Sequence, residues 1–423
     1  MKRALLGTTA VIGGGLMATS ALAESPIQLS VGGFFREAYQ LVLDDDESGP
    51  ENSLEPGDEH SDDGFFNDAE IHFMGRTVLD NGLEIGARVE LEGEDDEDQI
   101  DEAWVYFAGG FGEFRVGADD EALSNSCILP PGGTANFSAF SPNQWGANAF
   151  DVINPAGNIS PFGTVTNSAC EGVDDKSDAQ KIIYFSPIFH GFQLTASYTP
   201  NPDAETHVDG VGPHTGMPVR GNDDADFDAS FYLTYFYAGH NWDITLGAGG
   251  SFEASVTDGR VFFFGPPPAS SSGVDNEEQD FYQTAFVLNV DRFSIGGVFE
   301  YFNDLDTFEV DEPFSAFSDT RFSRDAWVAG GGGAYNYNAW TFGAQYSYRK
   351  DIFKVTETPF GFKKEQVQQR AVATVNYALG PGINLDGEFA YTWRDQDPEN
   401  LSPTFNNDDY SAMEFGIGTA VTF

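Results

Sequence analysis

The alternation of apolar and polar residues along this chain predicts an all-β fold, a transmembrane antiparallel β-barrel of sixteen strands. Three observations carry that reading. Segments of about ten residues with one greasy face and one small or polar face recur from end to end. Short turns alternate with long acidic connections. The last strand stays in register to the final residue: Met413, Phe415, Ile417, Thr419, Val421 and Phe423 share one face, with Glu414, Gly416, Gly418, Ala420 and Thr422 on the other. A soluble domain frays at its terminus. A barrel in lipid tolerates no free edge, so its last strand pairs with its first.

Taken in order, the chain begins with Lys2 and Arg3, an apolar and small stretch over 4–17, and Ala21-Leu22-Ala23 before Glu24. These are the three regions of a secretory signal peptide, and their order disfavours a buried N-terminal helix. Residues 1–23 are expected to be removed after Ala23, leaving 24–423 as one barrel domain. Loss of Lys2 and Arg3 takes the formal charge from −48 to −50. Such a balance excludes nucleic acid as a partner and favours cations or cation-bridged surfaces. No apolar run of about 18 residues follows the signal, so no helix is expected to cross a membrane. Aromatic residues are abundant, with 39 Phe and 16 Tyr, although mean hydropathy is −0.31.

The alternation then places strands at 27–42, 68–78, 83–92, 100–107, 112–118, 180–186, 192–199, 226–238, 242–253, 279–289, 293–302, 325–336, 340–349, 365–377, 383–394 and 410–423. Asn81-Gly82 in "LDNGL" is a strong hairpin signal. Aromatic residues at strand ends (Trp340, Tyr348, Tyr391, Trp393, Phe423) fit girdles at the two edges of a bilayer. A secreted β-sandwich or β-helix shares the alternation but explains neither the loop lengths nor the ordered terminus. Cys127 and Cys170 are the only cysteines. An even pair in an exported chain reads as a disulfide, here closing a loop of about 40 residues worth ~3–4 kcal/mol in the chain-entropy model.

The opening strand "IQLSVGGFFREAY", the hairpin "KIIYFSPIFHGFQLTASYTP" and the terminal "GIGTAVTF" resemble Gram-negative outer-membrane porins of the alphaproteobacterial general-diffusion type. Ile182, Tyr184, Ser186, Pro187, Phe189, Gly191, Phe192, Ser197 and Tyr198 carry the hairpin's match. The resemblance implies a homotrimer and passive diffusion of small hydrophilic solutes. It also implies a long third loop, 119–178, folded into the lumen. Phe423 then becomes part of the signal read by the barrel assembly machinery. The acidic-Phe-Gly-Gly motif carried by many porin constriction loops is not clear in this sequence.

By parity, Arg36, Arg76, Arg88 and Arg115 fall on polar strand faces and are candidates for a pore-lining arginine ladder. The loop carboxylates Asp119, Asp120, Glu121, Asp151, Asp174 and Asp175 are expected opposite it as a negative half. Pairing of the arginines with Glu70, Glu84, Glu90 and Glu113 is the alternative, and both arrangements are compatible. Gln345, Arg349, Arg370, Asp386, Glu388 and Arg394 are further lumen candidates. Glu37 falls on the apolar face, where a lipid-exposed carboxylate is costly. A subunit interface or the headgroup level is therefore expected there. Acidic connections offer diffuse binding of Ca²⁺ or Mg²⁺, bridging to lipopolysaccharide, and no other cofactor is expected. Asp44-x-Asp46-x-Ser48-Gly49 with Glu55 has the spacing of an EF-hand loop, though strands rather than helices should flank it. An embedded lipid hydrolase would need a Ser-His pair, and none stands out, so an enzyme is not expected. A substrate-specific channel for sugars or organic acids, using Trp145 and Phe150, remains the competing reading.

Overall fold

The computed structural model describes residues 27–44, 63–93, 100–140, 169–170, 179–200, 227–254, 258–259, 274–275, 279–310, 320–356, 362–396 and 410–423. The signal segment, the EF-hand-like spacing beyond Asp44, Trp145, Phe150, Asp151, Asp174 and Asp175 lie outside the described residues, as does the Arg394 side chain.

The chain runs β1 (Gln28–Asp44), β2 (Asp63–Val78), β3 (Glu84–Glu92), β4 (Ala103–Gly109), β5 (Gly112–Ala118), α1 (Ala122–Ser126), β6 (Gln180–Phe185), β7 (Phe192–Thr199), β8 (Phe227–Ala238) and β9 (Trp242–Ala254). It continues through β10 (Asp258–Gly259), β11 (Val274–Asp275), β12 (Gln279–Val290), β13 (Phe293–Val310), β14 (Thr320–Tyr337), β15 (Trp340–Thr356), β16 (Phe362–Gly380), β17 (Ile383–Gln396) and β18 (Tyr410–Thr422). Apart from the two-residue ladder β10–β11, every strand pairs antiparallel with its neighbours in one closed barrel of sixteen strands. β1 closes on β18, with Phe34 opposite Thr422 and Asp44 opposite Ala412. Reciprocal backbone bonds of 3.1 Å between Gly33 and Phe423 finish the seam.

The turns explain how sixteen strands stay in register. β2–β3, β4–β5, β6–β7, β8–β9, β12–β13, β14–β15 and β16–β17 are joined by connections of a few residues, all at one end of the barrel. Asp291 and Asn338 sit in the left-handed region there, at φ 52° and 55°, a conformation these short polar side chains tolerate. The longer connections leave from strand ends at the other end.

Side chains alternate strictly across the wall. In β18, Met413, Phe415 and Ile417 face outward and are exposed, while Ala412, Glu414 and Gly416 face inward and are buried. Exposed apolar side chains on every face of the exterior are what a barrel in lipid presents. Outward aromatic pairs gather towards both rims. Trp340–Tyr377 at 4.5 Å and Phe293–Tyr335 at 4.7 Å lie by the short turns, with Trp327–Tyr348 at 4.8 Å nearer the far end.

Several strands extend further than the alternation suggested. β13, β14, β15 and β16 continue to Val310, Thr320, Thr356 and Phe362 beyond the expected 302, 325, 349 and 365. The apolar-outward pattern ends where the bilayer ends, but the backbone ladder does not need lipid and carries on into water. For the same reason β2 begins at Asp63 rather than 68.

Candidate functional site

The inner wall has two halves that differ in what they face. On β1–β5 the inward charged side chains pair with one another. Arg36 pairs with Asp68 at 3.0 Å and lies 4.3 Å over the Phe34 ring. Arg76, with 61% of its side chain exposed, stands 3.8 Å from Glu84. Glu84 also accepts from the Tyr106 hydroxyl at 2.7 Å. Arg88 pairs with Glu90 and approaches His72 Nδ1 at 3.0 Å. Arg115 bonds Glu113 at 2.8 Å and Asp119 at 3.0 Å, its guanidinium held 4.3 Å from Trp104 and 4.5 Å from Phe185. The structure thus brings all four candidate arginines to one face, each in an ion pair with a carboxylate. Glu70 and Glu102 add to the carboxyl groups on this half, which outnumber its four arginines.

The expectation for Asp119 needs correcting, because it stands beside the arginines and not across the lumen from them. Asp119 is the partner of Arg115 itself and receives Asn125 Nδ2 at 3.2 Å. The Asp120 amide donates to Glu102 at 3.2 Å, and Glu121 is buried against Ser251 Oγ at 2.6 Å. Sequence parity assigns a face only within a strand, and these residues follow β5, where the chain turns inward. Their crowding has an electrostatic signature. Burial, reinforced by Asp119 and Glu90, pushes the Glu102 carboxyl up to about 9, and burial with Glu102 and Asp119 nearby pushes Asp120 up to about 7.

The other half receives the segment from Glu121 onward. α1 starts against the wall, where Ser197 Oγ and Ser230 Oγ accept the Ala122 and Leu123 amides at 3.0 and 3.3 Å. These hydroxyls satisfy donors that a helix start leaves open. Further on, Gln345 donates to Pro130 O at 2.9 Å and accepts from Ser138 Oγ and the Ala139 amide at 3.0 and 2.8 Å. Thr374 donates to Gly132 O at 2.7 Å, and Asn136 to Asp386 at 2.8 Å. Phe140 is fully buried in a cluster with Leu123, Ile128, Tyr232, Phe281, Phe302 and Val328. Phe137 meets Phe66 of β2 edge-on at 6.2 Å. The segment therefore crosses the interior from β5, along β7–β9, to β14–β18.

A close backbone approach makes this seat possible. A Cβ on Gly332 would lie 2.2 Å from Pro131 O, and one on Gly343 would lie 2.1 Å from Gly132 O. Only glycine leaves room for a second chain at those distances. The run "GGGG" at 330–333 was the available sequence signal for this seat, and the alternation alone assigned it no role. The Cys127–Cys170 disulfide, with Cα atoms 5.8 Å apart, fastens the segment beside β12 and β13. There the Cys170 amide donates to Glu300 at 3.0 Å.

Of the further lumen candidates, Gln345, Arg349, Arg370, Asp386 and Glu388 are all inward and buried. Arg349 pairs with Asp351 at 3.0 Å and Arg370 with Glu414 at 2.6 Å and Glu388 at 3.3 Å. They pin the wall together. Glu37 lies on the outward face of β1, opposite Thr419 and Asn67. Phe423 is outward and 62% exposed at the short-turn end.

A family model described as Gram-negative porin matches residues 7–397. Among solved structures, the chain is similar to an OmpT of Vibrio cholerae, an outer membrane protein, lacking loop L8. The two share 13% identity at a TM-score of 0.56, over 94% of this chain and 99% of that one. The in-vitro folded trimer form of OmpT matches at 13% identity and a TM-score of 0.55, over 94% and 100%. An anion-selective porin from Comamonas acidovorans matches at 15% identity and a TM-score of 0.50, over 94% and 100%. At such identities the likeness is one of fold. A search of the curated proteins returned no match.

Proposed function

The chain belongs to the Gram-negative porin family and is an integral channel protein of the outer membrane, and from that premise we propose that it is a general-diffusion pore, of the alphaproteobacterial type its hairpin motif resembles. It passes small hydrophilic solutes and ions and favours cations. The observation that supports this best is the β1–β5 wall, where each arginine pairs with a neighbouring carboxylate and Arg115 with two, Glu113 and Asp119. A channel wall with surplus negative charge concentrates cations near it. The Comamonas acidovorans neighbour is an anion-selective porin. The opposite preference follows here from a net charge of −48 and the acids of β1–β5. Sixteen strands enclose an aqueous lumen, and the segment seated on β14–β18 narrows it as a constriction loop.

The same reading includes a homotrimer, as in the trimer form of OmpT, with Glu37 in the subunit interface where lipid does not reach it. It also includes removal of residues 1–23 on export and recognition of Phe423 by the assembly machinery. Acidic outer loops bind Ca²⁺ or Mg²⁺ loosely and bridge to lipopolysaccharide. Reconstitution into planar bilayers tests the proposal. Stepwise conductance in groups of three is expected. Absence of conductance from correctly folded protein would overturn it.

A further inference from the structure

On the charged wall, three potential metal ligands converge. His72 of β2 stands directly across from Glu90 of β3 in the strand register, and Glu70 is two residues along on the same inward face. His72 Nε2 lies 2.7 Å from Glu70 Oε2 and 3.0 Å from Glu90 Oε2, and the three ligand atoms all fall within 4.8 Å of one another. Glu90 is buried and the other two are partly buried. Asp68, Asp101 and Glu102 lie close to Glu70 and add further carboxyl groups around the site.

We propose that Glu70, His72 and Glu90 form a binding site for a divalent first-row transition cation of the zinc class on the lumen wall, a site that rests on the pore reading only for its position. One imidazole with two carboxylates suits zinc and its neighbours, whereas Ca²⁺ and Mg²⁺ prefer all-oxygen shells. With bonds near 2.0–2.1 Å, tetrahedral geometry sets ligand atoms about 3.3 Å apart. The pairs at 2.7 and 3.0 Å are hydrogen-bond distances, so the three groups open by a few tenths of an ångström to admit the ion. Barrel pairing fixes their backbones while they do so.

Proton accounting gives the site a built-in antagonist. A guanidinium only donates, so Arg88 at His72 Nδ1 makes that nitrogen an acceptor and puts the ring proton on Nε2, between the two carboxylates. A cation takes the place of that proton. The proton passes to Nδ1, where it opposes the Arg88 donor, and Arg88 must leave the ring for its carboxylate partner Glu90. Arg88 therefore lowers the site's affinity. Because Glu102 contacts Glu90 and accepts from the Asp120 amide, occupancy also bears on the start of the lumenal segment.

Zinc titration by calorimetry on the folded, detergent-solubilised protein tests the proposal, and it is independent of whether the barrel conducts. One zinc per chain is expected, with binding at least about tenfold weaker in His72→Gln and Glu70→Gln and tighter in Arg88→Gln. Calcium in place of zinc should give no comparable binding. X-ray absorption at the zinc edge on the unaltered protein should show a nitrogen ligand, which covers the case that a variant fails to fold. Equal zinc binding by the unaltered protein and His72→Gln, or an all-oxygen zinc shell, would overturn the site.

Discussion

The wall at β1–β5 and the wall at β14–β18 are built to the same rule, polar inward and apolar outward, yet they have different neighbours. Arg36, Arg76, Arg88 and Arg115 answer to carboxylates on their own or adjacent strands. Gln345, Thr374 and Asp386 answer to the backbone and side chains of 130–139. An inward polar residue therefore has two distinct uses, lining water or receiving a chain. Which one applies depends on whether the wall leaves room. Glycine at 332 and 343 makes that room on β14 and β15.

If this division holds, substitutions on the seated half change stability and those on the charged half change selectivity. The largest effect is expected for Phe140→Ala. That side chain is fully buried between segment and wall, and its loss should cost about 3–5 kcal/mol, read as a lower denaturant midpoint for the folded barrel. Gly332→Val forces a side chain against Pro131 O and should cost about 1–3 kcal/mol while unseating the segment. Larger, noisier single-channel steps would report the second effect. Gln345→Ala strips partners from Pro130 O and the Ala139 amide. A loss on the order of 1–2 kcal/mol is expected, within the cost of leaving buried polar groups unpaired. Arg76→Gln should be the mildest for stability, within about 0.5 kcal/mol, because its ion pair is long and mostly exposed. It should nonetheless move the zero-current potential further towards cations. A stability loss at Arg76 equal to that at Phe140 would erase the distinction between the two halves.

The sixteen strands, their faces and the closing seam at Phe423 were legible in the sequence because period-two alternation is a local property. Strand ends were read short at β13–β16, since the lipid-facing pattern stops before the hydrogen-bond ladder does. The inward direction of the four arginines was also legible. The role of Asp119 was not, because it depends on where the chain goes after β5, and no periodicity governs that. The seat at Gly332 and Gly343 was legible only as the glycine run at 330–333, because a glycine on a polar face does not say what will approach it. Alternation along 68–78 puts His72 on the same polar face as Arg76, but only the register opposite Glu90 assembles the cluster.

The central claim is that surplus acid on the β1–β5 wall sets the selectivity of an open, water-filled pore. The zero-current potential across a planar bilayer in a KCl gradient tests it most directly. A potential of the sign that marks potassium as more permeant than chloride is the predicted result, and replacing Glu84 and Glu113 by Gln should reduce it. A potential favouring chloride in the unaltered protein would contradict the account.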